Sequence, residues 1–130
     1  MINRQKSQQF IDLNDTGDKA AFCFPKGAEI LEINLGVVGD DAGGATVKID
    51  SLVNSVRGDG DIGELTVAAA DNSGQVIQEI ASSVIRIAAG GVAVVEVTAE
   101  ALSGATNAVI EIVWKNLGEL NANTDNVDAG

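Results

Sequence analysis

Apolar and polar residues alternate along most of this chain, and the clearest stretch runs from Ala21 to Val37. In its second half Leu31, Ile33, Leu35 and Val37 alternate with Glu32, Asn34 and Gly36. A period of two places one set of side chains in a core and the other in solvent, which is typical of an antiparallel β-strand. The first half ends at Pro25-Lys26-Gly27, a turn sequence. The pattern therefore predicts two strands joined by a bend.

The same alternation recurs between clusters of Gly, Asp and Asn, and it predicts about eight strands in all. We expect these strands at Gln8–Leu13, Lys19–Phe24, Ala28–Val38, Ala45–Val53, Glu64–Ala69, Ser82–Ala88, Val92–Thr98 and Ala108–Lys115, with a further short run at Val76–Ile80. Two pairs of neighbouring strands are expected to form hairpins, one across Gly39–Gly44 and one across Gly90-Gly91. The regular spacing indicates an all-β, antiparallel β-sandwich.

Two longer breaks interrupt this pattern. Asn54–Gly63 is expected to be an exposed loop, and any chemistry would lie there. Ala99–Asn107 is expected to be a second loop, with one helical turn at Ala99–Leu102. No segment repeats at a fixed period, which argues against solenoid and propeller architectures.

Composition agrees with a single β-domain. The 130 residues suffice for one core, which must be aliphatic because the chain has three Phe, one Trp and no Tyr. A net charge of −11 repels phosphate backbones and anionic lipids, so neither nucleic acid nor a membrane is an expected partner. No apolar run approaches membrane-spanning length, and the N-terminus has no hydrophobic segment. We expect synthesis in the cytoplasm without an export signal.

Few residue types are available for catalysis. Histidine is absent and Cys23 is the single cysteine, which excludes Ser-His and Cys-His catalysis, His-ligated zinc and an intramolecular disulfide. Because Cys23 lies between Phe22 and Phe24, we expect it to be a small buried thiol.

Carboxylate pairs are the remaining candidates for glycosidase-like catalysis or calcium binding. Asp40 with Asp41, and Asp59 with Asp61 or Glu64, lie in Gly-rich loops, where acids are usually solvated turn formers. The Asp59 loop also lacks the third Asp or Asn, the correctly placed Gly and the distant Glu of an EF-hand. We therefore expect no enzyme activity, no metal and no cofactor.

Two further features have both a structural and a binding interpretation. Arg57-Gly58-Asp59 spells the integrin-binding tripeptide, but in a Gly- and Asp-rich loop we interpret it as part of a turn. The aromatic residues that a sugar-binding module would need all fall in strand-like runs, namely Phe10, Phe22, Phe24 and Trp114. Trp114 shares a face with Ile110 and Ile112, so we expect it to pack in the core.

The two ends of the chain are polar and opposite in charge. Residues 1–9 carry Arg4 and Lys6 and no acid, whereas residues 117–130 carry three acids and no base. Both ends are too polar to fold alone. We therefore divide the chain into a polar N-terminal arm (1–9), a β-sandwich (10–116) and an acidic C-terminal tail (117–130).

The segment Phe22–Leu35, FCFPKGAEILEINL, resembles the strand, Pro-x-Gly turn and strand near the start of small jelly-roll proteins encoded beside phage capsid genes. In those proteins an alternating strand, a Gly/Asp loop and another strand follow, and a run like Val109–Trp114 closes the sheet. The likeness covers most of Gln8–Lys115 as a pattern. The chain is thus similar to decoration, or cement, proteins of tailed-phage heads, and the resemblance implies a jelly-roll fold.

The resemblance implies attachment to the outside of a shell of phage major capsid protein, often as a trimer, which reinforces the shell against internal DNA pressure. It implies a virion location on the capsid exterior after assembly in the host cytoplasm, and it carries over no catalytic residues. Either polar end could bridge neighbouring subunits, and residues 1–9 are the hypothetical strap. The candidate partner-binding residues are Arg4, Lys6, Phe10, Arg57 and Asp59. The alternative is a receptor- or glycan-binding module of a phage tail or fibre, with a groove lined by Trp114 or the Arg57 loop.

Overall fold

The computed structural model describes residues 4–39, 44–68, 76–100 and 106–117, and most of them lie in β-strands. The nine strands of these residues are β1 (Arg4–Asp12), β2 (Gly17–Phe24), β3 (Ala28–Gly39), β4 (Ala45–Val53), β5 (Val56–Arg57), β6 (Gly63–Val67), β7 (Val76–Ile87), β8 (Gly91–Ala99) and β9 (Thr106–Asn116). They form two antiparallel sheets, which confirms the expected all-β sandwich. Within the described residues no helix has the length and apolar character needed to cross a membrane.

The strands pair with partners that are distant in the sequence. One sheet, sheet A, has the order β1-β9-β3-β7. The other, sheet B, has the order β2-β8-β4, with both β5 and β6 beside β4. From β1 to β4 and again from β6 to β9, the chain changes sheet at every connection. This double-sheet arrangement is a jelly roll, as the sequence resemblance implies.

The two hairpins that the sequence predicts do not form, because β3 and β4 lie in different sheets and so do β7 and β8. At the Gly90-Gly91 linker, the Gly91 amide donates to the Ala88 carbonyl at 2.9 Å. Gly90, at φ 84°, donates to the Phe24 carbonyl at 2.9 Å. These bonds direct the chain from sheet A into sheet B rather than back along β7. Because each predicted pair of strands is divided between the two sheets, both hairpin predictions are wrong.

The Pro25-Lys26-Gly27 hinge also carries the chain between sheets, from β2 to β3. Gly27 has a φ of 79° and donates its N–H to the Phe24 carbonyl at 3.0 Å. A Cβ at this position would lie 2.8 Å from the carbonyl oxygen of Ile87. The left-handed backbone and the close approach of Ile87 both require glycine here.

The core consists of alternate side chains from both sheets. Its largest fully buried members include Phe24, Leu13, Ile30, Ile33, Leu35, Ile49, Ile87, Ile110 and Ile112. The half-buried Trp114 packs edge-on against Phe24, with ring centroids 4.9 Å apart and an interplanar angle of 78°. Its Nε1 donates to Ser7 Oγ at 3.1 Å. Trp114 therefore packs against the core, as predicted.

Cys23 is exposed, so the predicted buried thiol is wrong. Phe22 and Phe24, its neighbours in β2, are both buried. Successive side chains of a strand point to opposite faces, so the residue between two buried positions must face outward.

The first strand starts earlier than the sequence predicts. β1 begins at Arg4, and all nine of its residues pair with β9. Gln9 Nε2 also donates to the Ala21 carbonyl of β2 at 2.8 Å. Residues 4–9 therefore belong to sheet A and not to a free arm, because main-chain pairing with β9 holds an edge strand that has few apolar residues.

Strand β7 runs through a region where the sequence indicates two separate runs. Ile30 of β3 pairs with Ile85, and Glu32 of β3 pairs with Ile80. One residue of β3 therefore faces four residues of β7, 81–84. These extra residues form a bulge, which bends a strand locally without ending it.

Some predictions fall on residues outside the described ranges. They concern the Asp40–Asp41 pair, the loop from residue 101 with the end of its helical turn, and the acidic tail from residue 118.

Candidate functional site

The outer face of sheet B, called the B face below, carries the Arg57-Gly58-Asp59 tripeptide. Asn54 and Ser55 have positive φ angles of 52° and 67°, the geometry of a primed hairpin turn, and they join β4 to β5. Leu52 of β4 consequently pairs with Arg57 of β5. The turn thus places Arg57 at the edge of sheet B.

Arg57 reaches across the B face to acids on three other strands. Its Nη2 and Nη1 donate to the two carboxylate oxygens of Asp18 on β2, at 2.6 and 3.0 Å. Its Nε donates to Asp50 Oδ2 on β4 at 3.0 Å, and Nη2 also contacts Glu96 Oε1 on β8 at 3.3 Å. Hydrogen bonding with Asp18 and then Asp50 raises the pKa of Arg57, and the guanidinium lowers the pKa of Asp18. One side chain therefore ties four strands together.

Asp50 is the one charged residue that is buried among the described residues, with 1% of its surface exposed. Its second oxygen, Oδ1, accepts the Gly60 amide at 2.6 Å. Nearby, Asp61 accepts the Ser51 amide at 2.9 Å and the Ser51 hydroxyl at 2.5 Å. A Cβ on Gly58 would collide with the Asp61 carboxylate. Two carboxylates therefore hold the 58–62 loop against β4.

The remaining charged residue of this loop, Asp59, is also engaged within the molecule. Asp59 accepts a hydrogen bond from Lys48 Nζ at 3.0 Å, which raises the pKa of Lys48. Glu64 of β6 lies opposite Lys48 in the sheet register. In the described part of the chain no group of three or more His, Cys, Asp or Glu could hold a metal ion. These contacts support the interpretation of Arg57-Gly58-Asp59 as a structural element.

The outer face of sheet A, called the A face below, has a row of hydrogen-bonded amides and acids. Gln8 Nε2 and Asn34 Nδ2 donate to the two oxygens of Glu111, at 2.6 and 2.7 Å. Asn34 Nδ2 and Gln78 Nε2 donate to Glu32 Oε2, at 3.3 and 2.8 Å. The hydrogen bonds from Asn34 and Gln8 lower the pKa of Glu111. The row joins all four strands of sheet A.

Beside this polar row the A face is apolar and exposed. Phe10 pairs with Val109, Val109 with Gly36 and Gly36 with Val76, which forms a line across the sheet. Phe10 is 64% exposed, Val76 is 72% exposed, and Val38 beyond them on β3 is 49% exposed. A Cβ on Gly36 would contact nothing within 4 Å, so a shallow depression lies between Val76 and Val109. We call these five residues the apolar patch; exposed clusters of this kind mark interaction sites.

Charge is balanced on the A face but not in the chain as a whole. The charged residues that the strand registers place on this face are Arg4, Lys6, Arg86 and Lys115 with Asp12, Glu29, Glu32 and Glu111. The chain carries a net charge of −11, so the excess of acids lies elsewhere. The A face can therefore approach another surface without the repulsion that the rest of the protein would impose.

The structure divides the five predicted partner-binding residues between the two faces. Arg4, Lys6 and Phe10 occupy alternate positions of β1 on the A face. Arg57 and Asp59 lie with sheet B, on the other side of the sandwich. The five residues therefore do not form a single site.

Sequence reasoning missed Val38 and Val76 as members of an exposed surface. The signal was present, because each stands next to an apolar residue, Val37 or Ile77, that faces the core. Two consecutive apolar residues in a strand must point to opposite faces, so one of each pair has to be exposed or covered by a partner.

The chain matches no family model and no curated protein significantly. Its fold is similar to that of chains in phage capsid structures. A chain from the acid-stable capsid structure of Helicobacter pylori bacteriophage KHP30 has a TM-score of 0.58 and 17% identity, and the match covers 88% of this chain and 93% of that one. A chain from the capsid asymmetric unit of cyanophage Pam1 has a TM-score of 0.53 and 16% identity, with coverage of 88% and 85%. The predicted resemblance to phage jelly-roll proteins is thus confirmed for the fold.

Proposed function

We propose that this chain is a structural virion protein that binds the outer surface of a phage capsid and stabilises the head shell as a homotrimer. The observation that carries the proposal is the jelly-roll fold, which is shared over nearly the full chain length with chains of two phage capsid structures. Many copies on one shell would add their contacts, so weak individual contacts suffice for firm attachment.

We assign the A face to the contact with the major capsid protein. The apolar patch offers side chains that lose unfavourable contact with water when a partner covers them. Phe10 is its largest member, and Arg4 and Lys6 provide charged contacts farther along the same strand. The balanced charge of the face permits this approach in a chain of net charge −11.

We assign Arg57 and Asp59 a structural role on the opposite face. Arg57 is held by Asp18, Asp50 and Glu96, and Asp59 is held by Lys48. A glycan-binding groove at Trp114 or at the Arg57 loop would have to break these contacts or those of Trp114 with Phe24. The geometry therefore favours shell binding over the glycan-binding alternative.

The test is co-sedimentation of the purified chain with shells assembled from the major capsid protein of the same genome. We expect the chain to pellet with shells and Phe10→Ser and Val76→Ser to reduce its occupancy. Val56→Ser is the matched control, because Val56 is 71% exposed, like Val76, but lies on β5 in sheet B. Light scattering of the free protein measures whether it forms trimers.

Wild-type chain that stays in the supernatant would overturn shell binding. Equal loss of occupancy in the Val56→Ser control would overturn the assignment to the A face but not the function. Binding of the wild-type chain to a glycan array, without binding to shells, would favour the tail or fibre alternative instead.

A further inference from the structure

A cleft opens at one edge of the sandwich, between β7 of sheet A and β6 of sheet B. Its volume is about 290 Å³, close to the lower end of ligand pockets, which measure roughly 300–1,000 Å³. Its apolar wall consists of five isoleucines, Ile30, Ile33, Ile62, Ile80 and Ile85. The cleft lies beside the 81–84 bulge, where β7 departs from regular pairing with β3.

Among the described residues, the charged side chains of the lining are all acidic, namely Glu32, Glu64 and Glu79. Glu32 accepts the Gln78 and Asn34 amides described above. Glu64 lies opposite Lys48, whose ammonium group is bonded to Asp59. Glu79 makes no hydrogen bond or ion pair with any described residue. The cleft therefore presents the Glu79 carboxylate, which has no partner among the described residues, beside an apolar wall.

Glu79 occupies a position where the strand pattern calls for a core residue. Ile77, two residues earlier on the same side of β7, packs against the core. Gly63 of β6 provides the space, because a Cβ there would lie 2.6 Å from Glu79 Oε1 and 2.7 Å from Ile33 Cδ1. The carboxylate thus lies against the main chain of β6, next to the isoleucine side chains of the cleft.

We propose that this cleft binds the lysine side chain of a partner protein. The four methylene groups of the lysine would lie along the isoleucines, and its ammonium group would pair with Glu79. Charge complementarity decides the occupant: Glu79 is exposed, so an arriving ammonium group can pair with its carboxylate, whereas a neutral apolar side chain offers it no partner. The cleft is distinct from the apolar patch, so this inference does not depend on shell binding.

The experiment is an NMR titration of the purified chain with Nα-acetyl-lysine-N-methylamide, followed through the isoleucine methyl groups. We expect saturable shifts at Ile80 and Ile85. Glu79→Gln should weaken binding about fivefold, the effect of losing one solvent-accessible ion pair. Glu100→Gln, a change at an exposed acid outside the cleft lining, is the matched control and should leave the affinity unchanged. Nα-acetyl-norleucine-N-methylamide has a similar apolar stem without the charge and should bind about fivefold more weakly.

A second pair of variants tests the shape of the cleft without removing a charge. Gly63→Ala places a methyl group where Glu79 lies and should abolish the shifts, whereas Gly36→Ala adds a methyl group in open space and should preserve them. Dispersed spectra establish that each variant is folded.

Two outcomes would overturn the proposal. Absence of saturable shifts in the wild-type chain would leave Glu79 as an inward-pointing charge that only protects the β7 edge from strand pairing. Equal binding of the lysine and norleucine probes would show an apolar pocket without a role for the carboxylate. No shells enter this experiment, so its failure is separate from failure of the proposed function.

Discussion

The two outer faces of the sandwich use their charged residues differently. On the B face, one arginine is bound by acids of three strands, one of which is buried, and the charged groups are engaged with one another. On the A face, neutral amides bridge the acids, and the apolar patch beside them is left uncovered. The difference indicates that one face stabilises the fold and that the other is available for contact.

Removing the Arg57 guanidinium from the B face should have the largest effect on stability. Arg57→Met leaves Asp50 buried without its ionic partner, and breaking a buried pair in this way costs about 3 kcal/mol or more. Urea unfolding monitored by circular dichroism measures the loss. Lys48→Met, which breaks only the exposed pair with Asp59, should cost much less than Arg57→Met. Equal losses in the two variants would contradict the special role of Arg57.

Removing the central acid of the A face should have a smaller effect. Glu111→Ala deletes the acceptor of the Gln8 and Asn34 amides at a partly exposed site, so we expect a loss of about 1–2 kcal/mol. The same urea titration provides the comparison with Arg57→Met. A loss larger than that of Arg57→Met would reverse the ranking of the two faces.

Lowering the pH should reduce the contribution of both faces to the free energy of unfolding. The pKa values of Asp18 and Glu111 are lowered by their hydrogen-bond partners, so these groups stay ionised in the folded chain at a pH where the unfolded chain takes up protons. Their contribution is complete above the ordinary carboxyl pKa of about 4 and is lost as the pH falls through their lowered folded pKa values. Unfolding at about pH 7 and about pH 3 measures the difference. Asp18→Asn and Glu111→Gln should each reduce this pH dependence, and a steeper dependence in either variant would contradict the assignment.

The smallest effect on stability is expected from a substitution in the apolar patch. Phe10→Ser changes an exposed side chain, so the free energy of unfolding should stay within about 0.5 kcal/mol of the wild-type value. Thermal and urea unfolding check this. A large loss of unfolding free energy would mean that Phe10 stabilises the sheet. A lower shell occupancy of Phe10→Ser could then result from unfolding as well as from a lost contact with the shell.

The sequence predicts the β-sandwich well because burial follows a period of two. Leu35 and Ile110 are buried where the alternation places them, and Trp114 packs against the core on the same side as Ile110. The same rule also predicts that Cys23 is exposed, since its two neighbours are buried. The error there came from treating an apolar run as buried throughout.

Strand pairing and the charge network could not be predicted in this way. Each hairpin prediction rested on a local turn, whereas β3 pairs with β9, which lies far along the chain, and a turn sequence carries no information about such a partner. Asp50 stands at an outward position that the pattern treats as solvated. It is buried because Arg57 of β5 and Gly60 of the following loop cover it, and both come after β4 in the chain.

The full-length pairing of β1 with β9 has a practical consequence for engineering. Arg4 lies opposite Lys115, whereas Phe10 lies opposite Val109 toward the other end of the same two strands. The chain thus enters and leaves the sandwich side by side, at the end away from the apolar patch. Arg4 and Asn116, the outer ends of these two strands, are therefore neighbours, and joining them by a linker would give a circular permutant whose new ends can be placed in a surface loop. Such a permutant would keep the β1–β9 pairing and leave the apolar patch unchanged.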